Sequence, residues 1–399
     1  MNQVVIVEAC RTAVGKYGGT LKSLTAADLA EAVMKGVIDR SGLSGDMIDE
    51  IVMGHCRQSS DHSNTARYAA LNAGIPDFVP ANTVMCACAS GMLAVNNAAN
   101  SIATGQNEIV IAGGTESMTN ANFYLSNARW GVGTGTAELR DSLTEAQIHS
   151  QPVDIYGRFS MGMTAENVAE RMSISREDQD RFALNSQEKA NEAIKSGKFK
   201  EETIPLIVPQ GRKKPDITFD TDEFPKETTF EKLSLLKPAF KAGGTVTAGN
   251  SSGRNDGASA ILLMSEKKAA ELSLKPIARI RAMASAGVDP RYMGLGPVPA
   301  TQKALKASGL TMKDIQLIEL NEAFAAQSLG CIREMNLEDR MDIINVNGGA
   351  IALGHPIGSS GSRIIITLMY EMRRRGLSHG LATLCVAGGL GMATIIEMI

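Results

Sequence analysis

The sequence contains few aromatic residues, no block of charge of one sign and no long apolar run. Aromatic side chains make up 4% of the 399 residues, and the formal net charge is −3. Basic and acidic residues are interspersed, so the basic stripe that a nucleic-acid backbone requires is missing. No apolar stretch approaches the roughly 20 residues of a membrane-spanning helix. We therefore expect neither nucleic acid nor a membrane as a partner.

Cysteine is scarce as well. The six cysteines are too few for a disulfide framework in a chain of this length. The apolar run that begins at Val4 leaves no space for a secretion signal ahead of it. Both observations favour the cytoplasm, a reducing compartment in which a cysteine is a buried thiol or a reactive group.

The length of the chain exceeds what one hydrophobic core usually supports, so at least two packed units are expected. Short β-branched runs alternate with helical patterns, and this alternation is typical of α/β layers. The predicted strands cover residues 4–7, 51–53, 109–112, 277–281, 315–320 and 381–386. The predicted helices cover residues 26–39, 93–102, 300–308 and 364–374.

One pattern occurs twice. Ser90-Gly91 opens a predicted helix that leads to a strand ending in Gly113-Gly114, and Ser360-Gly361 opens a helix that leads to a strand ending before Gly388-Gly389. The repetition indicates a duplicated α/β unit.

Residues 122–248 interrupt this scheme. They contain a glycine-rich stretch at 131–135, an amphipathic stretch at 164–195 and a charged segment at 198–238. A long insertion with its own helix is more often a functional lid than a linker. We expect it to cover a substrate.

Cys88 is the first candidate for chemistry. It lies in Cys86-Ala87-Cys88-Ala89-Ser90-Gly91, directly before a predicted helix, where unpaired N–H groups and the helix dipole would lower the pKa of a thiol. The alternative is a small core residue, the commonest fate of an intracellular cysteine. A metal site at the Cys-x-Cys pair is disfavoured, because no neighbouring His or Cys completes a tetrahedral set.

Three further residues occupy unusual surroundings. His355 lies between Gly354 and Pro356 in a loop before a helix, so its ring is free to enter a cleft, although a histidine in a tight turn is an equally good reading. Cys385 ends a strand and precedes glycines whose N–H groups can converge on one point. Asn321 follows a strand and would ordinarily be a helix cap.

Together these residues carry a resemblance to the thiolase family over essentially the whole chain. The sequence blocks occur in the family's order. They are Cys88-Ala89-Ser90-Gly91-Met92, Gly113-Gly114-Thr115-Glu116-Ser117-Met118, Thr247-Ala248-Gly249-Asn250-Ser251-Ser252-Gly253-Arg254-Asn255-Asp256-Gly257, Asn321-Glu322-Ala323-Phe324-Ala325, Gly348-Gly349-Ala350-Ile351-Ala352-Leu353-Gly354-His355-Pro356-Ile357-Gly358 and Cys385-Val386-Ala387-Gly388-Gly389-Leu390-Gly391.

The resemblance implies a fold of duplicated α/β halves that form a five-layered αβαβα core with an inserted lid. The N-terminal half would comprise residues 1–121 and 249–273, the lid residues 122–248, and the C-terminal half residues 274–399. Homodimers or homotetramers are implied, with the segment 122–135 packing between subunits.

The resemblance also implies the catalytic roles. Cys88 would attack acetyl-CoA and become acylated while His355 takes its proton, and Cys385 would remove an α-proton from a second acetyl-CoA. One oxyanion hole would consist of His355 and a water held by Asn321, and the other of the backbone N–H groups of Cys88 and Ala387. The activity implied is reversible condensation of two acetyl-CoA to acetoacetyl-CoA, or thiolysis of short 3-ketoacyl-CoA.

The resemblance places the substrate as well. The pantetheine arm of coenzyme A would pass Ser252, with Lys226 near the nucleotide end. Four more residues are implied near the substrate: Met161, Met293, Ala248 and Phe324. The two methionines would line a short acyl pocket unless they are simple core residues. No metal or redox cofactor is required, and acetyl-CoA, acyl-CoA and free CoA are the expected partners.

Three positions depart from the family pattern. Met85 replaces an Asn ahead of the nucleophile, Ser160 replaces a His of the lid, and Ala387 replaces a frequent Gly. They bear on the support of the Cys88 loop, on a pantetheine contact and on a crowded turn.

Several alternatives stay open at this point. They are a degradative 3-ketoacyl-CoA thiolase of broad chain length, a decarboxylating ketoacyl synthase or 3-hydroxy-3-methylglutaryl-CoA synthase, a non-catalytic acyl-CoA-binding protein and a cysteine-dependent hydrolase. The second cysteine, Cys385, speaks against the synthases.

Overall fold

The computed structural model describes residues 2–211 and 214–399. Its strands are β1 (Val4–Thr12), β2 (Gly15–Lys16), β3 (Glu50–Gly54), β4 (Ala81–Val84), β5 (Ile109–Ser117), β6 (Phe123–Leu125), β7 (Leu139–Asp141), β8 (Thr203–Ile204), β9 (Leu206–Val208), β10 (Ile217–Phe219), β11 (Asn255–Ser265), β12 (Ala278–Gly287), β13 (Leu317–Leu320), β14 (His379–Val386) and β15 (Leu390–Met398).

The helices lie between these strands. They are α1 (Ala26–Ser41), α2 (Thr65–Asn72), α3 (Ser90–Ala103), α4 (Ser142–Ile148), α5 (Val153–Tyr156), α6 (Met161–Arg171), α7 (Arg176–Lys195), α8 (Phe230–Ser234), α9 (Glu266–Glu271), α10 (Pro297–Ser308), α11 (Ala325–Glu334), α12 (Ala350–Leu353) and α13 (Ile357–Arg375). Short 3₁₀ segments cover Thr20–Ser23, Gly45–Met47, Ser60–His62, Ala128–Trp130, Pro290–Leu295, Met312–Asp314 and Glu338–Ile343.

The main sheet runs continuously through both halves of the chain. Its strand order is β13-β14-β15-β12-β1-β11-β5-β3-β4, with β2 beside β11 and β8 beside β1. The halves meet where β1 and β12 pair antiparallel, through Val5 with Arg279 and Ile6 with Ala278. These two residue pairs join the two half-sheets.

The predicted duplication is confirmed by the order of the strands. In the N-terminal half the order is β4-β3-β5-β11-β1, and in the C-terminal half β13-β14-β15-β12 follows the same path. An isolated parallel bridge from Ile344 to Ile318 stands where β4 stands in the other half. Helix α3 before β5 corresponds to α13 before β14.

Three buried clusters separate five layers, so the predicted αβαβα arrangement is confirmed. One cluster packs α1 and α2 on the N-terminal half-sheet, and another packs α10 and α11 on the C-terminal half-sheet. The third holds α3 and α13 between the two half-sheets. Along β5, Ile109 and Ile111 face the outer helices while Val110 and Ala112 face the central ones. Burial on both faces explains why this strand is a continuous apolar run.

The repeated Ser-Gly pairs allow the two central helices to approach closely. A Cβ atom on Gly91 would lie 2.6 Å from Ser362 Oγ, and one on Gly361 would lie 2.5 Å from the backbone nitrogen of Met92. Any larger residue would therefore push α3 and α13 apart, and with them the loops that precede both helices.

The insertion contributes to both halves. Strands β6 and β7 form a small hairpin, β8 pairs with β1, and α6 and α7 pack on α11 and α12. The amphipathic stretch 164–195 is two helices, because the chain turns at Ser173, where φ is 50°. The boundaries at 122 and 248 stay a prediction. Within the described residues, no helix combines the length and the apolar character that crossing a bilayer demands.

Candidate active site

Cys88 lies in a loop that is tied to the start of α3. The hydroxyl of Ser90 accepts a hydrogen bond from the Cys86 N–H (2.9 Å) and donates to the carbonyl of Ala87 (2.7 Å). The thiol of Cys56 donates to the same carbonyl (2.8 Å). Ala87 has a φ of 42°, an unfavourable value for a residue with a Cβ, and these bonds hold it there. The loop is thus a fixed support for the Cys88 side chain.

The expected lowering of the pKa of Cys88 is wrong for this structure. Burial raises the pKa of the thiol to about 11, although the Ala387 N–H, the Arg57 charge and the Cys88 N–H each act in the opposite direction. Helix α3 begins two residues later, at Ser90, and its N-terminus does not offset the loss of water around the sulfur. Cys88 is therefore a neutral thiol at neutral pH and needs a base.

His355 is positioned as such a base. The backbone N–H of His355 donates to Asn255 Oδ1 (3.0 Å), and the ring Nδ1 lies 2.6 Å from Ser360 Oγ. Because this hydroxyl donates its own proton to the carbonyl of Pro356 (3.0 Å), it accepts from Nδ1–H. We assign the proton to Nδ1 on this basis, which leaves the lone pair on Nε2.

The second ring nitrogen of His355 is available for chemistry. Nε2 is buried and has no hydrogen-bond partner among the described residues, while the whole side chain is only 5% exposed. The pKa of His355 is lowered to about 4, mainly by burial and in addition by the charge of Arg363, while the charge of Glu116 acts in the opposite direction. The ring is therefore neutral at neutral pH and can accept a proton.

Cys385 stands at the end of β14, beside Cys88. Burial raises the pKa of the Cys385 thiol well above its ordinary value, and the nearby Cys88 thiol raises it further. The chain then turns through Gly388 and Gly389, whose φ angles are 91° and 85°. The Ala387 N–H, just before this turn, donates a hydrogen bond to the Cys88 sulfur and so opposes the rise of its pKa.

Asn321 follows β13, the strand parallel to β14. The backbone N–H of Asn321 donates to the carbonyl of Thr383 (3.0 Å), so Asn321 lies next to the strand that carries Cys385. The side chain is 1% exposed, and within the described part of the chain neither its oxygen nor its nitrogen has a partner. A buried amide in this state is unusual and marks a site that binds something polar.

Two buried carboxylates hold these loops together, and the sequence assigned chemistry to neither. Glu322 accepts from Ser186 Oγ (2.6 Å), Asn345 Nδ2 (2.8 Å) and the Ile351 N–H (3.2 Å). It thereby joins the Asn321 loop to α12 and to α7 of the insertion.

Glu116 has the corresponding position on the other side of the site. It accepts from the N–H groups of Cys56 (3.2 Å), Arg57 (3.1 Å) and Gly358 (3.0 Å), and it faces His55 Nε2 at 3.3 Å. It connects the loop after β3 to the loop that carries His355. The sequence signal that could have identified Glu116 is its place in the Gly113–Met118 block.

The candidate groups converge on one cavity of about 250 Å³. Eight of the residues expected from the sequence line it: Cys88, His355, Cys385, Ala387, Met161, Met293, Phe324 and Ser252. Asn321 is not among the residues that line the cavity. Lys226 and Ala248 are exposed outside it, so a role in binding coenzyme A stays a prediction for both. The insertion supplies Leu143, Gln147 and Phe240 to the lining.

The two methionines are both core and lining. Met293 is buried in the C-terminal outer cluster, and Met161 packs against the same cluster while facing the cavity. The three departures leave the cavity walls in place. Met85 is exposed, Ser160 precedes α6 as its N-cap, and Ala387 is absent from the residues with positive φ, so its methyl group fits the turn.

Comparison with known proteins places these features in a family. Residues 4–267 match the thiolase N-terminal domain, and residues 274–398 match the thiolase C-terminal domain. An acetyl-CoA acetyltransferase of Syntrophomonas wolfei is 50% identical over 395 residues, covering 99% of both chains, and one of Cupriavidus necator is 48% identical over the full length of both.

Solved structures agree with these matches. The acetyl-CoA acetyltransferase of Bacillus anthracis superposes with a TM-score of 0.96 at 44% identity, covering 100% of this chain and 99% of that one. Human mitochondrial 3-ketoacyl-CoA thiolase in complex with CoA gives a TM-score of 0.94 at 42% identity, covering 100% and 98%. The chain belongs to the thiolase family.

Proposed function

We propose that this protein is an acyltransferase of the thiolase type, which condenses two acetyl-CoA to acetoacetyl-CoA and CoA and runs the reverse thiolysis on short 3-ketoacyl-CoA. The observation that carries the proposal is the meeting of two thiols, Cys88 and Cys385, with the free Nε2 of His355 on one cavity. A single nucleophile would suffice for acyl transfer alone. A second acid–base thiol suits the making and breaking of a carbon–carbon bond.

The first half-reaction needs a proton acceptor. Both partners are neutral at rest, so His355 Nε2 takes the proton as the Cys88 sulfur attacks the thioester carbonyl. The imidazolium that forms is stabilised because its Nδ1–H donates to Ser360, and hydrogen bonds from charged donors are the stronger ones. The CoA thiol leaves with a proton from His355, and the acetyl group remains on Cys88.

The second half-reaction generates an enolate. The Cys385 thiol first passes its proton to His355 Nε2, and the resulting thiolate removes a proton from C2 of the incoming acetyl-CoA. The carbanion attacks the acetyl-Cys88 carbonyl, and the expelled Cys88 sulfur takes the proton back from His355. The negative charge on oxygen in these steps requires fixed hydrogen-bond donors. Removal of one such donor typically costs about 3–4 kcal/mol of transition-state stabilisation. We assign these donors to His355 with a water held by Asn321, and to the N–H groups of Cys88 and Ala387.

The substrates are thioesters of coenzyme A, and the reaction as written uses no metal or redox cofactor. We place the pantetheine arm along Ser252 and Phe324, with Ala248 and Lys226 on the outer surface near the nucleotide. The relative whose structure holds CoA supports this ligand class. Residues 122–248 act as the lid, since they line the cavity through α4 and α6 and limit the access of water.

The size of the cavity favours a short acyl chain. Its volume of about 250 Å³ lies below the roughly 300–1,000 Å³ of sites for drug-sized ligands. It must hold the end of the pantetheine arm as well as the acyl group. Met161 and Met293 form part of its wall. A degradative thiolase of broad chain length fits less well.

We further propose a homodimer or homotetramer in the cytoplasm. Around the β6–β7 hairpin, Trp130 is 90% exposed, Leu139 is 72% exposed and Phe123 is 62% exposed. Such a cluster of large apolar side chains is typical of an interaction surface. All six cysteines are free thiols, as a reducing compartment requires. Size-exclusion chromatography with light scattering of wild type and Trp130→Ser tests the assembly, which we expect to shift to a smaller species.

The enzymatic proposal is tested by thiolysis of acetoacetyl-CoA. On addition of CoA, the enolate absorbance of the substrate should fall with wild type and with Cys86→Ser, whose altered thiol lies two residues from the nucleophile. It should persist with Cys88→Ser. Full activity of Cys88→Ser would refute the assigned nucleophile.

The same reagents separate the competing functions. Condensation that depends on malonyl-CoA without thiolysis would indicate a decarboxylating synthase. Binding of CoA with no acyl adduct in the intact mass would indicate a binding protein. Release of free acid from acetyl-CoA would indicate a hydrolase.

A further inference from the structure

Two arginines line the active-site cavity, and its described lining contains no aspartate or glutamate. The cations are Arg57 and Arg254, in a wall that is otherwise apolar or neutral. The acetyl group that the proposed function places on Cys88 is neutral, and its one acceptor, the carbonyl oxygen, is already assigned to the oxyanion donors. The excess of positive charge therefore requires another explanation.

Both arginines project from one edge of the N-terminal half-sheet. Arg57 follows β3 by three residues and Arg254 immediately precedes β11, and these two strands flank β5. Adjacent strands lie about 4.8 Å apart, so the two strand ends are separated by roughly 10 Å. Met118, which follows the end of β5, lines the cavity between them. Two long side chains can converge across this distance.

The guanidinium of Arg57 has no direct partner in the part of the chain that the structure describes, although its charge acts on the buried Glu116. Within the described residues, its side chain makes neither an ion pair nor a hydrogen bond, and its Nε is buried without a partner. Its backbone N–H, by contrast, is fixed to Glu116 Oε1 at 3.1 Å. Arg254 is more exposed and faces Asp141 at 3.9 Å, too far for a hydrogen bond. Arg57 is therefore the stronger candidate for an anion, with Arg254 in support.

Arg57 lies close enough to the nucleophile for its charge to act on the Cys88 thiol. The phosphates of the coenzyme A that carries the reacting thioester are kept at a distance by the pantetheine arm. An anion within reach of Arg57 must then belong to the acyl group.

We infer that the preferred 3-ketoacyl-CoA substrate carries a carboxylate at the far end of its acyl chain, bound by Arg57 with help from Arg254. This inference rests on the proposed thiolase function. In thiolysis, Cys88 passes its proton to His355 Nε2 and attacks the 3-keto carbon, and the bond between C2 and C3 breaks. Its electron pair takes the proton of Cys385 to give acetyl-CoA. The carboxyacyl group stays on Cys88 until CoA displaces the cysteine sulfur, when the CoA thiol gives its proton to the Cys385 thiolate and Cys88 takes its proton back from His355.

A different role for Arg57, that of activating Cys88 alone, predicts a different pattern. Activation would change the rate for every substrate by the same factor, since all pass through the same thiol. Recognition of a carboxylate changes only the rate of a substrate that has one. The ratio between two substrates of equal length therefore separates the roles.

The test compares thiolysis of 3-oxohexanedioyl-CoA with 3-oxohexanoyl-CoA, and of 3-oxooctanedioyl-CoA with 3-oxooctanoyl-CoA. For at least one pair, wild type should prefer the dicarboxylic member by at least about tenfold in kcat/KM, the effect of a charge-assisted hydrogen bond. Arg57→Met should reduce this ratio to about one or below. Arg57→Lys should keep part of it, and Arg254→Gln should reduce it less than Arg57→Met.

Lys226→Gln is the matched control. It removes a cation that we place near the nucleotide shared by all four substrates, so both members of a pair should change alike. The inference is overturned if wild type shows no preference at either length, or if Arg57→Met keeps the ratio. Thiolysis of acetoacetyl-CoA by wild type in the same assay shows whether the proposed function survives that result. If wild type does not cleave acetoacetyl-CoA, both the inference and the proposed function fail.

Discussion

Replacing Ser360 with alanine should impair catalysis without unfolding the protein. The hydroxyl of Ser360 is the partner of His355 Nδ1 at 2.6 Å and donates to the Pro356 carbonyl at 3.0 Å. It lies in the first turn of α13, where alanine is a favourable residue. The substitution therefore leaves the helix intact and removes the hydroxyl that fixes the protonated side of the imidazole.

The magnitude follows from the state of the ring. A buried polar group without its partner costs about 1–3 kcal/mol, which corresponds to a factor of roughly 5 to 150 in rate. The cost is larger once Nε2 has accepted a proton, because Nδ1–H is then a charged donor. We therefore expect kcat to fall within this range while KM changes little, since the ring is neutral when substrate binds.

The assay is steady-state thiolysis of acetoacetyl-CoA with kcat and KM determined separately. Ser362→Ala is the matched control: its hydroxyl lies on the same helix and is equally buried, but it bonds to Ser259 and to the Ser359 carbonyl. Thermal unfolding of both variants checks the fold. A kcat within about twofold of wild type, or an equal loss in Ser362→Ala, would show that the imidazole is not oriented through Ser360.

Three further outcomes follow from the same structure. The rate of iodoacetamide alkylation at Cys88, followed by peptide mass, should rise steadily from pH 6 to pH 9 because its pKa is about 11; a plateau at low pH would indicate a preformed thiolate–imidazolium pair. Gly114→Ala should lower the melting temperature strongly, because a Cβ there would lie 2.0 Å from the Gly358 carbonyl oxygen, whereas Gly133→Ala, which meets open space, should not. Burial alone would raise the pKa of Glu116, but its hydrogen bonds lower it. In urea titrations, Glu116→Gln should therefore cost about 3–5 kcal/mol at pH 7, and the difference from wild type should shrink as the pH falls below about 4; a constant difference would contradict this.

The layers and the order of elements were accessible from the sequence because they depend on local periodicity. Strands such as β1 and β5 are apolar runs, and the first Ser-Gly pair marks the start of α3. The second pair lies in the first turn of α13, which begins at Ile357, so the prediction that Ser360 opens this helix is wrong by three residues. Strand β11 was less accessible. It begins Asn255-Asp256-Gly257, residues typical of turns, which are buried here because Asn255 bonds to His355 and Asp256 to Thr119.

The sequence identified eight of the residues that line the cavity, but it did not predict the surroundings that set the chemical state of the reactive ones. Cys88, His355 and Cys385 stand in motifs, so they could be named one by one. Cys88 is half-buried, and the loss of water that raises the pKa of its thiol depends on the folded surroundings, which include Arg57 and Ala387 from the two halves. The sequence therefore suggested a pKa shift in the wrong direction. Glu116 bonds to residues far away in the chain, and Arg57 reaches the cavity beside Cys88 only in the folded structure. Ser360 lies five residues from His355, but its bond to Nδ1 depends on how the chain turns between them.

The most direct test of the account concerns the division of labour between the two thiols. After mixing with acetyl-CoA, peptide mass spectrometry should find one acetyl group on Cys88 in wild type and in Cys385→Ala. In D₂O, deuterium should enter C2 of acetyl-CoA with wild type and with Cys331→Ala, a buried thiol outside the cavity, but not with Cys385→Ala. An acetyl group on another residue, or exchange at the wild-type rate in Cys385→Ala, would contradict the account.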